Sequence, residues 1–318
     1  MNKIGNISDF QCKICGNKTN NSLLIVCEKM FGTNEPFNYV KCDCCGCVQL
    51  VDEHMNMQAH YPENYFSFND YYYPNKIKDF LFRKYFAYKL GKITFIGFLL
   101  KFFLKNYFQW IHKEYISFHS KILDVGCGSG RLLHLLHRRG FRYLSGVEPF
   151  NEEKIVLDDK VVISNHTIFE VSGKYDFILL NYSFEHMPDP TKVIEKLLQI
   201  MEEDGTILIR IPLIDSYAWR KYQTNWVQMD APRHIYLHTL KSIVHLCKLH
   251  GLHLSKVIYD SEDYQFIQSE KYIRGLLYDD KSMNISKKEK KHFQKFAKQL
   301  NMQKDGDQAS FYFKKEKA

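Results

Sequence analysis

Ile122-Leu123-Asp124-Val125-Gly126-Cys127-Gly128-Ser129-Gly130 is the stretch whose reading decides the fold. Ile122 to Val125 reads as an apolar strand, the glycines as a sharp turn, and Arg131 to Arg139 as a helix closed by Gly140. Glycine accepts positive φ and lets a ligand approach the backbone closely. The spacing is G-x-G-x-G. A dinucleotide fingerprint wants its third glycine one position later, where Arg131 stands. Tyr143 to Val147 reads as the next strand, with Glu148 at its tip. A carboxylate there can accept hydrogen bonds from both hydroxyls of a ribose. Turn and acid together predict a nucleoside site, with the turn facing an uncharged or cationic group rather than a pyrophosphate.

Four more strands read outward from this unit: Tyr175 to Leu180, Thr206 to Ile211, His253 to Tyr259 and Ala309 to Lys314. Helices fit Pro190 to Met201, Thr239 to His250 and Gln265 to Tyr278, and Lys287 to Lys298 reads as a solvated basic helix. Strand–helix alternation with short apolar strands predicts an α/β fold, a mostly parallel sheet covered on both faces. Composition agrees: 318 residues, 45% hydrophobic and 25% charged, exclude a disordered, collagen-like or disulfide-stapled chain. Three regions follow: 1–60, 61–118 and 119–318.

The first region holds seven of the nine cysteines. Met1 to Phe10 is polar and lacks the apolar run of a secretory signal, which points to the cytoplasm and to metal binding rather than disulfides. Two knuckles stand out, Cys12-Lys13-Ile14-Cys15-Gly16 and Cys42-Asp43-Cys44-Cys45-Gly46, with strands read at Leu23 to Cys27 and Phe37 to Cys42. Each C-x-x-C-G turn puts two sulfurs on one side, so Cys12, Cys15, Cys42 and Cys45 are assigned to one tetrahedral zinc site, with an iron–sulfur cluster as the lesser alternative. Cys44 and Cys47 share the spacing but lack the following glycine, and Cys27 reads as a small buried hydrophobe. Four thiolates leave no open position, so the metal is expected to be structural.

The second region is aromatic and basic. Residues 75–121 carry ten Lys or Arg against two acids. Lys101 and Lys105 interrupt the apolar run Ile93 to Ile111, which argues against a spanning helix. Two readings stand: a helix packed over the sheet with its lysines in water, which is preferred, and an interfacial helix on an anionic membrane.

Residues 119–318 resemble the class I S-adenosylmethionine-dependent methyltransferases. Asp124 to Gly130 matches their first motif, Glu148 their ribose-binding acid, and Tyr175-Asp176-Phe177-Ile178 their fourth strand. Asn181-Tyr182-Ser183-Phe184-Glu185-His186-Met187-Pro188-Asp189-Pro190 is similar to the loop that, in a subgroup, closes over the methionine end of the cofactor. The resemblance implies a Rossmann-like sheet of seven strands, mostly parallel, with a small zinc-ribbon-like module before it. It implies S-adenosylmethionine and zinc as cofactors, the former held by Asp124, Gly126, Cys127, Gly128, Gly130, Glu148, Asn181 and Phe184. Tyr61-Pro62-Glu63-Asn64-Tyr65 and Trp226 to His234 resemble segments of a bacterial subgroup with a four-cysteine module, linked to sugar and polysaccharide pathways.

Methyl transfer to a hydroxyl or an acidic carbon needs a base. Glu185 and His186 follow the fourth strand, and Tyr217, Asp230, His234 and His238 follow the fifth, where ligands bind in such sheets. His234, His186 and Asp230 are the catalytic candidates, a histidine being the natural base. The leading expectation is a methyltransferase acting on a sugar or glycan precursor. The alternatives are an RNA methyltransferase using the zinc module and basic segment, and a non-catalytic scaffold that binds cofactor or zinc. A net charge of +8 favours anionic partners. No Pro-Cys dipeptide occurs, which argues against cytosine-type base methylation in terms of the family pattern.

Overall fold

The structure, a computed structural model, describes residues 10–51, 56–62, 71–104 and 108–316. Of the expected features, Glu63-Asn64-Tyr65, Lys105 and most of Met1 to Phe10 lie outside the described residues. Lys121–Val125 (β4) sits mid-sheet, flanked in parallel register by Tyr143–Val147 (β5) and Tyr175–Asn181 (β8). Met201–Pro212 (β9) extends the parallel set beside β8, and Val161–Ser164 (β7) extends it beside β5. Gln308–Lys315 (β12) runs antiparallel between β9 and Leu252–Tyr259 (β11). In β8, Phe177 to Leu180 are all buried, an unbroken apolar run that only a strand covered on both faces can carry.

The sheet has eight strands, not the seven expected. The additional one is Ile155–Leu157 (β6), an antiparallel edge strand on β7. Asp158 and Asp159 both take left-handed φ, +49° and +52°, and the Lys160 amide donates to the Leu157 carbonyl at 3.1 Å. That is the pattern of a type I′ turn, which matches the twist of paired strands. The hairpin was readable as Ile-Val-Leu and Val-Val-Ile around Asp-Asp-Lys, but neither β6 nor β7 was placed from the sequence. A second difference is the helix expected over Gln265 to Tyr278. It spans Tyr264–Ile273 and stops there, with Gly275 at φ +69°.

Ser22–Cys27 (β1), Pro36–Lys41 (β2) and Val48–Leu50 (β3) form a small antiparallel sheet, and Tyr236–Leu237 (β10) adds to its edge. Residues from either end of the chain therefore share one sheet. Tyr39 reinforces the join by donating from its hydroxyl to the His234 carbonyl at 2.9 Å, and Thr239 by donating to the Cys45 carbonyl at 2.7 Å. Cys27 is half-buried rather than enclosed.

Lys76–Lys89 (α1) and Phe95–Leu104 (α2) form a helical hairpin. Asn75 caps α1 by accepting from the Lys78 amide at 3.0 Å. Phe86 packs on Phe141, and the Arg139 guanidinium lies 3.9 Å from the centre of the Phe82 ring. α1 buries Tyr85 and Phe86, whereas α2, inside the run Ile93 to Ile111, buries Gly97 alone, with Leu100 and Leu104 half-buried against the same core.

The join between the small sheet and the large one is electrostatic at its centre. Arg233 is 1% exposed; its Nη2 lies 2.6 Å from Asp230 and 3.1 Å from Glu28, and its Nη1 donates to the His60 carbonyl at 3.2 Å. Removing one member of a buried charge set strands the others without water. Arg233→Met should cost about 3–5 kcal/mol of stability, read as a lower urea midpoint; an unchanged midpoint would mean that the clamp contributes nothing net.

Candidate active site

Gly126, Gly128 and Gly130 take φ of +74°, +54° and +76°, conformations that a side chain makes costly. The Gly126 and Cys127 amides both donate to the Val147 carbonyl, at 2.8 and 3.2 Å, which ties the bend to the end of β5. Space at Gly126 is closed by Ser183: a Cβ there would meet Ser183 Cβ at 2.5 Å. The Ser183 hydroxyl donates to the Val125 carbonyl at 2.6 Å, so the loop after β8 leans on the bend.

Glu148 points into the bend. Its Oε2 accepts from the Gly128 amide at 3.0 Å and its Oε1 from the Phe150 amide at 3.3 Å. Burial lifts the carboxyl above its ordinary value, and the two amides partly offset this. Asp124 is fully enclosed. Its Oδ1 has no hydrogen-bond partner among the described residues, and burial, then the Glu148 charge, pushes the carboxyl up to about 7. Cys127 is half-buried, its sulfur beneath Gly146. A glycine bend, an acid bonded to its Gly128 amide and an orphaned buried carboxylate oxygen form an acceptor set that fits a nucleoside.

The loop after β8 brings the second group of residues to the same edge. The His186 Nδ1 donates to the Arg233 carbonyl at 2.8 Å, and the His234 Nδ1 donates to the Gln228 carbonyl at 2.7 Å. A carbonyl only accepts, so Nδ1 carries the proton in each neutral ring and Nε2 carries the lone pair. The His234 Nε2 lies 4.0 Å from Glu185 Oε1 and 3.9 Å from Asp230 Oδ2. The two imidazoles meet edge-on, 4.7 Å between centres.

Glu185 is 1% exposed, and neither carboxylate oxygen has a hydrogen-bond partner of good geometry among the described residues. Burial pushes its carboxyl up to about 8; its own amide and Arg210 pull down, while Asp230 adds to the rise. Burial pushes His186 down to about 3, with His234 adding to the effect, and burial also lowers His234 against the pull of Asp230. Burial works to raise Asp230 as well, but Arg233 and then His234 outweigh it and hold the carboxyl below its ordinary value. Near neutral pH the cluster thus holds two neutral imidazoles, a protonated Glu185 and an ionised Asp230.

Tyr61 spans the two groups. Its ring stacks on Phe150 at 5.2 Å and its hydroxyl lies 3.1 Å from the His186 Nδ1. Asn181, at the end of β8, accepts from Arg210 at 3.3 Å, and Arg210 is paired with Asp260 at 2.9 Å. Phe184 is buried against the His238 ring. The other two residues considered from the sequence stand apart from the cluster: His238 lies between Phe184 and Tyr236, and Tyr217 packs on Phe296. Glu28 was missed altogether, because its partner Arg233 is 205 residues away and nothing local marks it.

Cys12, Cys15, Cys42 and Cys45 converge, with sulfurs 3.6 Å apart for Cys12 and Cys45 and 3.5 Å for Cys15 and Cys42. Four thiolates about 2.3 Å from a tetrahedral ion would stand about 3.8 Å apart, so the cage has the right size for zinc. The knuckles repeat each other: the Gly16 and Gly46 amides donate to the Cys12 and Cys42 carbonyls at 2.8 and 2.9 Å, and both glycines take φ +74°. Cys44 is exposed, and the Cys47 sulfur lies 4.0 Å from His238 instead, which removes the alternative pair.

The sequence profile of a family described as a methyltransferase domain matches residues 93–257, which is 165 of the 318. The ubiquinone biosynthesis O-methyltransferase of Salmonella paratyphi A is 31% identical over 112 residues, 32% of this chain and 46% of that protein. The protein of the same name from Escherichia coli O127:H6 is 30% identical over 112 residues, 32% and 47% of the two chains. The chain spans about half the length of the curated relatives it matches. Among solved structures, a putative sarcosine dimethylglycine methyltransferase from Galdieria sulphuraria aligns with a TM-score of 0.41 at 17% identity, covering 62% of this chain and 79% of that one. The plantazolicin methyltransferase BpumL aligns with a TM-score of 0.41 at 16% identity, covering 82% and 89%. With more than half of its length matched by the family profile, the chain belongs to the methyltransferase-domain family.

Proposed function

We propose that the protein transfers a methyl group from S-adenosylmethionine to a small molecule carrying an acidic O–H or C–H, of the sugar or glycan-precursor type. The observation that carries this reading is the His234 Nε2, a neutral base beside Asp230 and beside Glu185, which sits on the loop whose Ser183 leans on the glycine bend. A buried imidazole with a depressed pKa is a base already free of its proton at neutral pH.

S-adenosylmethionine, when bound, supplies an electrophilic methyl on a sulfonium. Glu148 would hold the ribose hydroxyls, the backbone at Gly126 to Gly130 would carry the adenosyl group, and Asp124 would offer its unpartnered oxygen to the same ligand. Asn181 and the Phe184 backbone would border the methionine end. His234 takes the acceptor's proton on Nε2, and Asp230 steadies the resulting imidazolium. Protonated Glu185 donates to the acceptor's oxygen, so acid and base stand side by side with their affinities for protons set apart. Alignment of acceptor, methyl and leaving sulfur does the remaining work.

Enclosure supports a small acceptor. Glu185, His234 and Arg233 are all buried, and the charge of Arg233 is spent on two carboxylates rather than offered to a phosphate backbone. The sugar class rests on the resemblance at Tyr61-Pro62-Glu63-Asn64-Tyr65 and Trp226 to His234. Zinc held by Cys12, Cys15, Cys42 and Cys45 is structural, since four thiolates close its coordination.

Three outcomes are expected. Across a panel of nucleotide sugars followed by mass spectrometry, one class should gain a methylene's mass. On that acceptor His234→Asn should lower kcat by about 10²–10⁴-fold while cofactor affinity is kept; retention of full turnover would remove His234 as the base. Glu185 is protonated in the fold and ionises near 4.5 when unfolded, so its contribution is complete below pH 4.5 and is lost as the pH rises through about 8. Glu185→Gln, which keeps the shape without the ionisation, should therefore raise Tm progressively between pH 5 and 8, by an amount on the order of 4 kcal/mol at the top. A Tm difference independent of pH would contradict a protonated Glu185.

A further inference from the structure

The outer face of α2 has the composition of an interior. Its exposed large side chains are Phe95, Ile96, Phe98, Leu99, Phe102 and Phe103. At about 100° per residue these six fill one continuous arc of about 160°, and no polar or charged side chain falls within it. Phe95 is 76% exposed, Phe102 66% and Phe103 85%, and Ile93, just before the helix, is 100% exposed. The side turned to α1 carries Gly97, Leu100 and Leu104, together with Lys101, whose ammonium lies 4.4 Å from the centre of the Phe98 ring. A surface helix of a globular protein shows the opposite polarity. Lys287–Met302 is such a helix in this chain, with lysines outward and Ala297 and Leu300 buried.

Charge narrows what can cover this face. Residues 75–104 contain seven Lys or Arg and one acid, Asp79. Asp79 is itself buried, paired with Arg138 at 3.4 Å and bonded to the Tyr72 hydroxyl. Lys76, Lys78, Arg83 and Lys92 are exposed, so the charge the hairpin presents is positive throughout. A second copy of the chain would bring these cations against their own kind. Nucleic acid would meet phosphates with lysines but leave the phenylalanine arc without a partner. An anionic bilayer satisfies both, with acyl chains for the arc and headgroups for the lysines. The ten residues of α2 reach only about 15 Å against a hydrocarbon core of about 30 Å, so the helix lies along the surface and does not cross. No helix among the described residues is long and apolar enough to span.

We propose that the α1–α2 hairpin is a membrane-docking element that lays the Phe95, Phe102 and Phe103 face into the headgroup–acyl boundary of an anionic bilayer. The hairpin packs against Arg139 and Phe141, at the far end of the helix that opens at Gly130, so docking would place the lipid surface at the end of that helix away from the glycine bend.

Flotation of the full chain with vesicles of phosphatidylcholine alone, or of phosphatidylcholine with phosphatidylglycerol, tests this. The protein should float with the mixed vesicles and bind them at least about tenfold more tightly than the neutral ones. Phe95→Ser/Phe102→Ser/Phe103→Ser should abolish flotation on both, and Lys76→Glu/Lys78→Glu/Lys92→Glu should abolish the preference for anionic lipid. Unchanged melting and unchanged S-adenosylhomocysteine binding in both variants would show that the fold is kept. Failure of the wild-type chain to float, or flotation of the triple serine variant at the wild-type level, would overturn the proposal. So would a concentration-dependent dimer that the serine variant dissolves, without lipid binding, because the face would then belong to a second copy.

Discussion

One buried guanidinium organises the functional half of this molecule. Arg233 is closed off from water, and its charge is balanced by Asp230 three residues before it and by Glu28 from the cysteine-bearing end of the chain. Such a group is tolerated only when its donors are met, so the segment around it has little freedom. Its carbonyl then receives the His186 proton, which fixes the tautomer of that ring and turns it onto His234. The geometry of the proton-handling groups is thus a consequence of satisfying a charge, and the small N-terminal sheet is part of the solution rather than an appendage. β10 joining that sheet, with Tyr39 reaching the His234 carbonyl, secures the same loop from its other side.

The cluster also shows how burial sorts proton affinities. Glu185 and Asp230 carry the same functional group and both flank the His234 Nε2, yet one is held protonated and the other ionised. Desolvation acts on both. Asp230 is bonded to the Arg233 guanidinium, whereas Arg210 pulls on Glu185 without bonding it, so the pair splits and offers acid and base functions within one enclosure.

Much of this was legible in the sequence where the signal is local. The glycine bend, the strand before it and Glu148 at the tip of the next strand are close in sequence, and all take the places read for them. The two knuckles, each closed by a glycine that needs positive φ, are equally local. What escaped was either non-local or inverted. Glu28 and Arg233 carry no mark of each other. The β6–β7 hairpin was passed over because Asp-Asp-Lys was not taken as a turn between two apolar triplets. α2 followed the apolar pattern of a packed helix, and only the structure shows that its apolar side faces out, since periodicity reveals that a face exists and not what covers it.

The account stands on a nucleoside site at the bend, with its ribose held by Glu148. Calorimetric titration of the full chain with S-adenosylmethionine and with S-adenosylhomocysteine tests that directly. Saturable binding of both at one site, weakened by about 1–3 kcal/mol in Glu148→Ala, is the predicted result. No binding of either, or binding that Glu148→Ala leaves unchanged, would contradict it.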